Sequence, residues 1–141
     1  MNGAQAAYDA WRSFCPPVRA ENADLYSGEP YVMPGNVAGP QAATPGQAGW
    51  TWYTGTAAWY LRALVEGVLG VKAHIQGLRV RASLPDDWDS FRIKRPFRGA
   101  VYEITVQRGE QPGTYVNGTP WQGDLLPPAE PDSIQIVNIT I

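Results

Sequence analysis

GQAGWTWYTGTAAWY, residues 46–60, is the most informative stretch of the sequence, because it passes from an aromatic loop directly into a predicted helix. Flat aromatic rings stack on the C–H faces of a pyranose, and their N–H and O–H edges reach hydroxyl groups. The turn Thr54-Gly55-Thr56 would leave free backbone N–H groups at the helix N-terminus, where the helix dipole favours a phosphate or carboxylate. The composition therefore fits a site for a sugar and an anion.

A purely structural role for the same residues stays open. Thr54 or Thr56 would then be an ordinary N-cap residue. From composition alone this is the more common role, because large aromatic side chains are usually packing residues. The rings that would then belong to a core are those of Trp50, Trp52, Trp59 and Tyr60.

The helix that follows, predicted from Ala57 to Leu69, carries apolar side chains on all sides. Its two charged residues, Arg62 and Glu66, are spaced i to i+4 and can pair across one turn, and Gly70 supplies a C-terminal stop. A helix that is apolar all round expects burial on every side. One other short helix cannot surround it, so we expect the chain to be part of a larger helical body.

Upstream, the spacing of apolar residues predicts an amphipathic helix from Ala4 to Phe14, capped by Asn2 and ended by Pro16-Pro17. From Val18 to Gly49 the sequence is rich in Gly, Pro, Ala and Asn, which predicts an extended loop. Structureless loops of this length are usually functional or disordered.

After Gly70 the hydrophobic period changes from helical to alternating, which predicts half-buried strands. Asn117-Gly118 is a strong hairpin signal, because both residues tolerate positive φ in a type I′ turn. We therefore predict an α+β fold in which residues 73–141 form a small antiparallel β-sandwich. The strands expected in it are 78–81, 91–94, 101–106 and 134–141.

Composition and charge exclude several classes of function. The net charge is -2, from 11 basic and 13 acidic side chains, which argues against a nucleic-acid-binding surface and a polybasic membrane patch. The sequence shows no apolar run long enough to cross a bilayer and no signal peptide, so we expect a cytoplasmic protein. Cys15 and His74 are each alone of their type, so we expect neither a disulfide nor a metal site.

Five motifs, taken in order, resemble the C-terminal region of glycoside hydrolase family 94 proteins. They are EPYV at 29–32, a Gly- and Pro-rich loop, GWTWYTGTA at 49–57, EGVLGV at 66–71 and LPDDW at 84–88. That family contains cellobiose and chitobiose phosphorylases and the phosphorylase-like portion of cyclic β-1,2-glucan synthases.

The resemblance implies that residues 1–72 are the last helices of an (α/α)6 barrel with an active-site loop, followed by a jelly-roll-like β-sandwich at 73–141. It also implies inorganic phosphate as co-substrate, with no other cofactor, bound by the hydroxyl of Thr54 and the backbone N–H of Gly55. A β-linked glucose oligosaccharide would contact Glu29, Tyr31, Trp50 and Trp52. The remainder of the enzyme, or a homo-oligomer, would be the protein partner.

Two departures from the family pattern bear on activity. Family 94 phosphorylases use one Asp as general acid while phosphate attacks the anomeric carbon, whereas inverting hydrolases need two carboxylates. The resemblance places that Asp upstream of the region matched here, so the isolated chain is expected to be inactive. Gly35 stands where cellobiose-type enzymes have a phosphate-binding Gln, which leans toward the glucan synthase branch. The alternatives are a stand-alone carbohydrate-binding or scaffolding module and an inactive gene fragment.

Overall fold

The computed structural model describes residues 3–141. They have an α+β fold and form two compact units, the first ending at Leu64 and the second running from Val65 to Ile141. The first unit contains four α-helices: α1 (Gly3–Ser13), α2 (Pro16–Arg19), α3 (Ala23–Tyr26) and α4 (Thr54–Arg62). A 3-10 turn, Ala20–Asn22, joins α2 to α3, and a π-helical segment, Ala63–Val68, continues α4.

The first three helices show where the sequence-based prediction of this region was right and where it was wrong. Helix α1 ends before the two prolines, as predicted, whereas its predicted cap, Asn2, lies outside the described residues. The loop predicted from Val18 onward is wrong as far as Tyr26, because residues 16–26 form successive helical turns. Pro16 occupies the first position of α2, where a missing N–H costs nothing. The Asn22 side chain caps α3 by accepting a hydrogen bond from the Leu25 N–H at 3.2 Å.

Helix α4 begins three residues earlier than predicted, at Thr54. Its N-cap residue is Tyr53, which makes no side-chain capping bond, so the N-cap role considered for Thr54 or Thr56 is wrong. Gly70 adopts φ +73° two residues after the π-helical segment, in agreement with the predicted stop. The expected burial of α4 on every side is not seen within this chain, since Trp59 is 67% exposed.

The second unit consists of two sheets. A three-stranded sheet has the order β1-β2-β7 and contains β1 (Val71–His74), β2 (Gly77–Val80) and β7 (Leu125–Leu126). A five-stranded sheet has the order β3-β4-β8-β5-β6. Its strands are β3 (Ser90–Phe97), β4 (Ala100–Gln107), β5 (Gly113–Val116), β6 (Thr119–Trp121) and β8 (Ile134–Thr140).

The five-stranded sheet is mixed and not wholly antiparallel as predicted, because β4 and β8 pair in parallel, with Ile104 opposite Val137. The predicted hairpin is confirmed: Asn117 and Gly118 have φ values of 51° and 80° and connect β5 to β6. Alternate residues of β4 and β8 are buried, which is the pattern of strands with one face in a core. The most deeply buried side chains of these two strands are Ala100, Tyr102, Ile104, Val106 and Val137.

The described residues offer no helix that is long and apolar enough to span a membrane. Within residues 3–141 there is also no group of three or more His, Cys, Asp or Glu side chains placed to hold a metal ion.

Candidate functional site

The loop between α3 and α4 is held in shape by its own backbone. The Gly35 N–H donates to the Trp50 carbonyl at 2.8 Å, and the Tyr53 N–H donates to the Met33 carbonyl at 2.9 Å. The Ala48 N–H donates to the carbonyl of Tyr26, at the end of α3, also at 2.8 Å. These bonds place residues 29–35 beside residues 48–53, and so bring together two of the five sequence motifs.

Three of the four predicted sugar-contacting residues meet in one cluster. The Trp52 Nε1–H donates to the Glu29 carboxylate at 3.1 Å. The rings of Tyr31 and Trp52 lie edge to face, with centroids 6.1 Å apart. Both rings nevertheless remain open to solvent, with Tyr31 74% and Trp52 66% exposed. The cluster is therefore a positioned aromatic surface. Trp52 is not a core residue, although composition alone favoured that role.

Trp52 also has an unusual backbone conformation, with φ at 64°. A bulky residue in the left-handed region costs about 1–3 kcal/mol and persists only where its surroundings impose it. Strained residues of this kind cluster at binding and catalytic sites. The Tyr53 N–H, next in sequence, donates to the Met33 carbonyl and helps to hold Trp52 in this conformation.

The carboxyl group of Glu29 is held in its ionised form. Hydrogen bonds from the Thr51 side chain, from its own backbone N–H and from Trp52, in that order of size, lower its pKa below the ordinary 4.5. An ionised carboxylate accepts hydrogen bonds and donates none. Glu29 can therefore bind hydroxyl groups, and it will repel anions that approach closely.

The two predicted phosphate-binding residues, Thr54 and Gly55, occupy the first two positions of α4 and are exposed. The first intrahelical bond at this end joins the Ala57 N–H to the Tyr53 carbonyl at 3.2 Å. With no side-chain cap on the helix, the N–H groups of the first turn are available to an external acceptor.

Two depressions lined by described residues contain the predicted sugar-contacting residues. The Tyr31 pocket, of about 390 Å³, is lined by Tyr31, Trp52 and Thr54 together with Cys15, Met33 and Tyr60. The Trp50 pocket, of about 430 Å³, is lined by Glu29, Trp50 and Thr51 together with Gly28, Ala48 and Gly49. The structure thus separates the predicted sugar-contacting residues into two groups, and places the predicted phosphate-binding Thr54 with the first.

Thr51 and Tyr60 are lining residues that sequence reasoning did not select. Thr51 bonds Glu29 across 22 positions of sequence, and its place between Trp50 and Trp52 was the available signal. Burial, followed by the neighbouring Cys15 thiol, raises the pKa of the Tyr60 hydroxyl above its ordinary value. That hydroxyl is therefore neutral, and its oxygen is buried although the Tyr60 side chain lines the Tyr31 pocket.

Comparison with known proteins gives one family. The sequence profile of the glycosyl hydrolase 94 superfamily, catalytic domain, matches residues 2–70. The cyclic beta-(1,2)-glucan synthase NdvB of Rhizobium meliloti (strain 1021) is 36% identical over 115 residues, which is 77% of this chain and 4% of that protein. The solabiose phosphorylase of Paenibacillus borealis is 31% identical over 126 residues, 86% of this chain and 16% of that protein.

A third relative, the N,N'-diacetylchitobiose phosphorylase of Vibrio proteolyticus, is 34% identical over 114 residues, 77% of this chain and 14% of that protein. The chain thus spans less than a fifth of the length of each of these relatives. The profile match includes both pockets and the start of α4. On these grounds the chain belongs to the glycosyl hydrolase 94 family.

Proposed function

We propose that the chain is the C-terminal portion of a glycosyl-transferring enzyme of the kind represented by inverting β-glucoside phosphorylases and cyclic β-1,2-glucan synthases. It supplies part of a sugar and phosphate pocket and lacks the general acid. The observation that carries the proposal is the position of the Glu29, Tyr31 and Trp52 cluster next to the uncapped start of α4. Trp52 and Thr54 line the same pocket.

The sugar-binding part of the proposal rests on the chemistry of the exposed rings. Three aromatic rings, those of Tyr31, Trp50 and Trp52, present apolar faces to solvent. A pyranose ring stacked on them would cover those faces. The Glu29 carboxylate accepts from hydroxyl groups at the same place. The ligand proposed is a β-linked glucose oligosaccharide.

The phosphate-binding part rests on α4. Its nine residues carry a helix dipole whose positive end is at Thr54, and the N–H groups there have no side-chain cap. The Thr54 hydroxyl adds a further donor. We assign inorganic phosphate to this end of the helix as co-substrate and no other cofactor, with Thr54 and Gly55 as its contacts.

The missing acid is part of the same proposal. In the resemblance to family 94 the catalytic Asp precedes the matched region, and Asp124 of this chain is engaged in an ion pair with Arg81.

The exposed apolar side chains of α4, above all Trp59 and Leu61, suit a surface covered by the rest of an (α/α)6 barrel or by a second copy of the chain. The proposed domains are residues 1–72 for the barrel end and 73–141 for a jelly-roll-like β-sandwich, in a cytoplasmic enzyme.

The test is to isolate the protein as its own cells make it and to measure sugar 1-phosphate released from β-linked glucose oligosaccharides. We expect phosphate-dependent release, and we expect Thr54→Val to raise the KM for phosphate by about tenfold while leaving the KM for the sugar unchanged. Thr56→Val, two positions further along α4, is the matched control. Sugar 1-phosphate formation by the purified 141-residue chain alone would refute the proposed absence of the acid.

A second function is favoured by the exposed aromatic surface together with the β-rich second unit. Those features also suit a stand-alone carbohydrate-binding or scaffolding module, which needs no acid. Sugar binding without any phosphate-dependent product would support this alternative. If neither is found, the exposed α4 fits an inactive gene fragment, which would aggregate or oligomerise.

A further inference from the structure

We infer that the Trp50 pocket is a second sugar subsite, separate from the Tyr31 pocket, and that it selects a neutral pyranose over phosphate and over acidic sugars. The inference rests on the proposed function, because it assumes that the Tyr31 pocket binds one sugar of a β-linked oligosaccharide. It adds a site, a charge preference and a residue that keeps the site open.

The lining of the Trp50 pocket suits a sugar ring. It combines the polar side chains of Glu29 and Thr51 with the indole of Trp50. The Trp50 indole forms the wall, and it is 72% exposed although its backbone is fixed by the bond from Gly35. An exposed aromatic face beside hydrogen-bonding side chains is an arrangement in which a pyranose can stack.

The two pockets share a boundary. The 3.1 Å bond from Trp52 Nε1 to Glu29 joins a side chain that lines the Tyr31 pocket to one that lines the Trp50 pocket. Two pockets separated by a single pair of side chains can hold successive sugars of one chain. A monosaccharide would then fill one pocket, and a longer oligosaccharide would fill both.

The charge of Glu29 determines which sugars enter. Its carboxylate is ionised at neutral pH, as an ordinary glutamate is, and it already accepts a hydrogen bond from Trp52 at the edge of the pocket. It accepts hydrogen bonds from the hydroxyl groups of a neutral pyranose. A phosphate or a uronic acid brought to the same place meets a like charge, which disfavours binding.

Gly35 keeps the Trp50 wall in place. A Cβ at position 35 would overlap Trp50 Nε1 and would lie 2.8 Å from Trp50 Cε2. Even alanine at this position must therefore displace the indole. The position of the Trp50 ring therefore depends on residue 35. The absence of a side chain at Gly35 allows the ring to form the subsite.

The experiment compares the affinities of the full native protein for glucose, for a β-linked glucose tetrasaccharide and for inorganic phosphate by calorimetry. We expect Trp50→Ala and Gly35→Ala each to weaken tetrasaccharide binding by about tenfold and to leave phosphate binding unchanged. Tyr115→Ala is the matched control, since this aromatic ring is 46% exposed on β5 and lines neither pocket. Trp50→Phe keeps an aromatic wall and should retain most of the affinity. It replaces Gly35→Ala in the comparison if that variant proves unstable.

Three outcomes are decisive. Tetrasaccharide affinity that is unaffected by Trp50→Ala overturns the subsite while leaving the proposed function intact. Phosphate affinity that falls with Trp50→Ala also overturns it, because the pocket would then serve the anion. An absence of any sugar binding by the unaltered protein refutes the proposed function and the subsite together.

The charge preference has its own variant. The unaltered protein should bind a neutral tetrasaccharide about tenfold more tightly than the same tetrasaccharide carrying a terminal glucuronate, and Glu29→Gln should reduce that ratio. An unchanged ratio in Glu29→Gln would show that the carboxylate does not set the preference.

Discussion

The second unit buries its apolar side chains and the first unit exposes them. Among residues 3–141, and leaving proline aside, fourteen of the sixteen buried apolar side chains lie between Val68 and Ile139, and the first unit contributes Ala4 and Tyr26. The first unit nevertheless carries eight of the thirteen large apolar side chains that are exposed, including three tryptophans. The second unit is therefore organised around a core of its own, whereas the first presents eight large apolar side chains to solvent.

The contrast teaches how to interpret exposed aromatic residues in this chain. In the second unit an exposed apolar residue such as Ile136 stands on the outer face of a sheet whose other face is fully packed. In the first unit, Trp50 and Trp52 are exposed on a loop whose backbone is fixed by hydrogen bonds. An exposed ring on a backbone that hydrogen bonds already hold is preorganised for binding, because the loop loses its conformational entropy on folding and not on binding.

Ile104→Ala should have the largest effect on the core that distinguishes the second unit from the first. It removes buried methyl groups from the centre of β4, where Ile104 is 1% exposed. We expect the free energy of unfolding of the second unit to fall by about 2–5 kcal/mol. Ile136→Ala, on the exposed face of the neighbouring strand, is the matched control and should change it by less than about 1 kcal/mol. Amide hydrogen exchange of peptides spanning 100–107 under increasing urea measures both. Equal effects of the two variants would contradict the assignment of faces.

Trp11→Ala probes the small packed part of the first unit. The Trp11 ring stacks on Tyr60 at a centroid distance of 4.6 Å, and its Nε1–H donates to the Tyr60 carbonyl at 3.2 Å. Loss of the stacking and of the hydrogen bond should destabilise α1 by about 1–3 kcal/mol. Faster amide exchange in residues 3–13 is the measurement. Trp59→Ala, whose ring is exposed, should leave that exchange unchanged; a matching acceleration would show that the exposed rings also stabilise the unit.

The smallest effect is expected from pH. A hydrogen bond from Arg81 lowers the pKa of Asp124 below its ordinary 3.8, and the charges of Arg81 and Arg79 act in the same direction. Because the folded-state pKa is the lower one, the stabilisation is present above the unfolded value and is lost as the pH falls through the folded value. Thermal unfolding between pH 7 and pH 2 should show a small loss at the acidic end. Asp124→Asn should reduce this loss, and the lowered pKa of Glu29 accounts for a further part of it. A loss that begins near neutral pH would assign the effect to another group.

The strands were predictable from sequence because burial of one face imposes a period of two. Ile104 and Val106 alternate with the polar residues Glu103 and Thr105, and the structure buries the first pair. That period identifies a face and carries no information about which strand lies alongside or in which direction. The parallel pairing of β4 with β8 was therefore missed.

Near the candidate site, the start of α4 was predictable from the sequence, and the grouping of the proposed site residues was not. The start of α4 near Thr54 followed from the change of composition there, with a boundary error of three residues. The division of Glu29 and Trp50 from Tyr31 and Trp52 depends on how residues 27–53 fold back on themselves, through bonds such as that from Gly35 to Trp50. Contacts of this kind join distant positions by backbone geometry, which leaves no periodic signal in the sequence.

The order of strands in the large sheet has a consequence for synthesis of the protein. Strand β8 is the last of the eight to emerge from the ribosome, yet it lies in the centre of the sheet, between β4 and β5. Until residues 134–140 leave the exit tunnel, the β3-β4 and β5-β6 hairpins have no partner strand, and each presents an open edge. The nascent chain is therefore most prone to aggregate in the interval between completion of β7 and release of β8, and a chaperone that binds open strand edges would act in that interval.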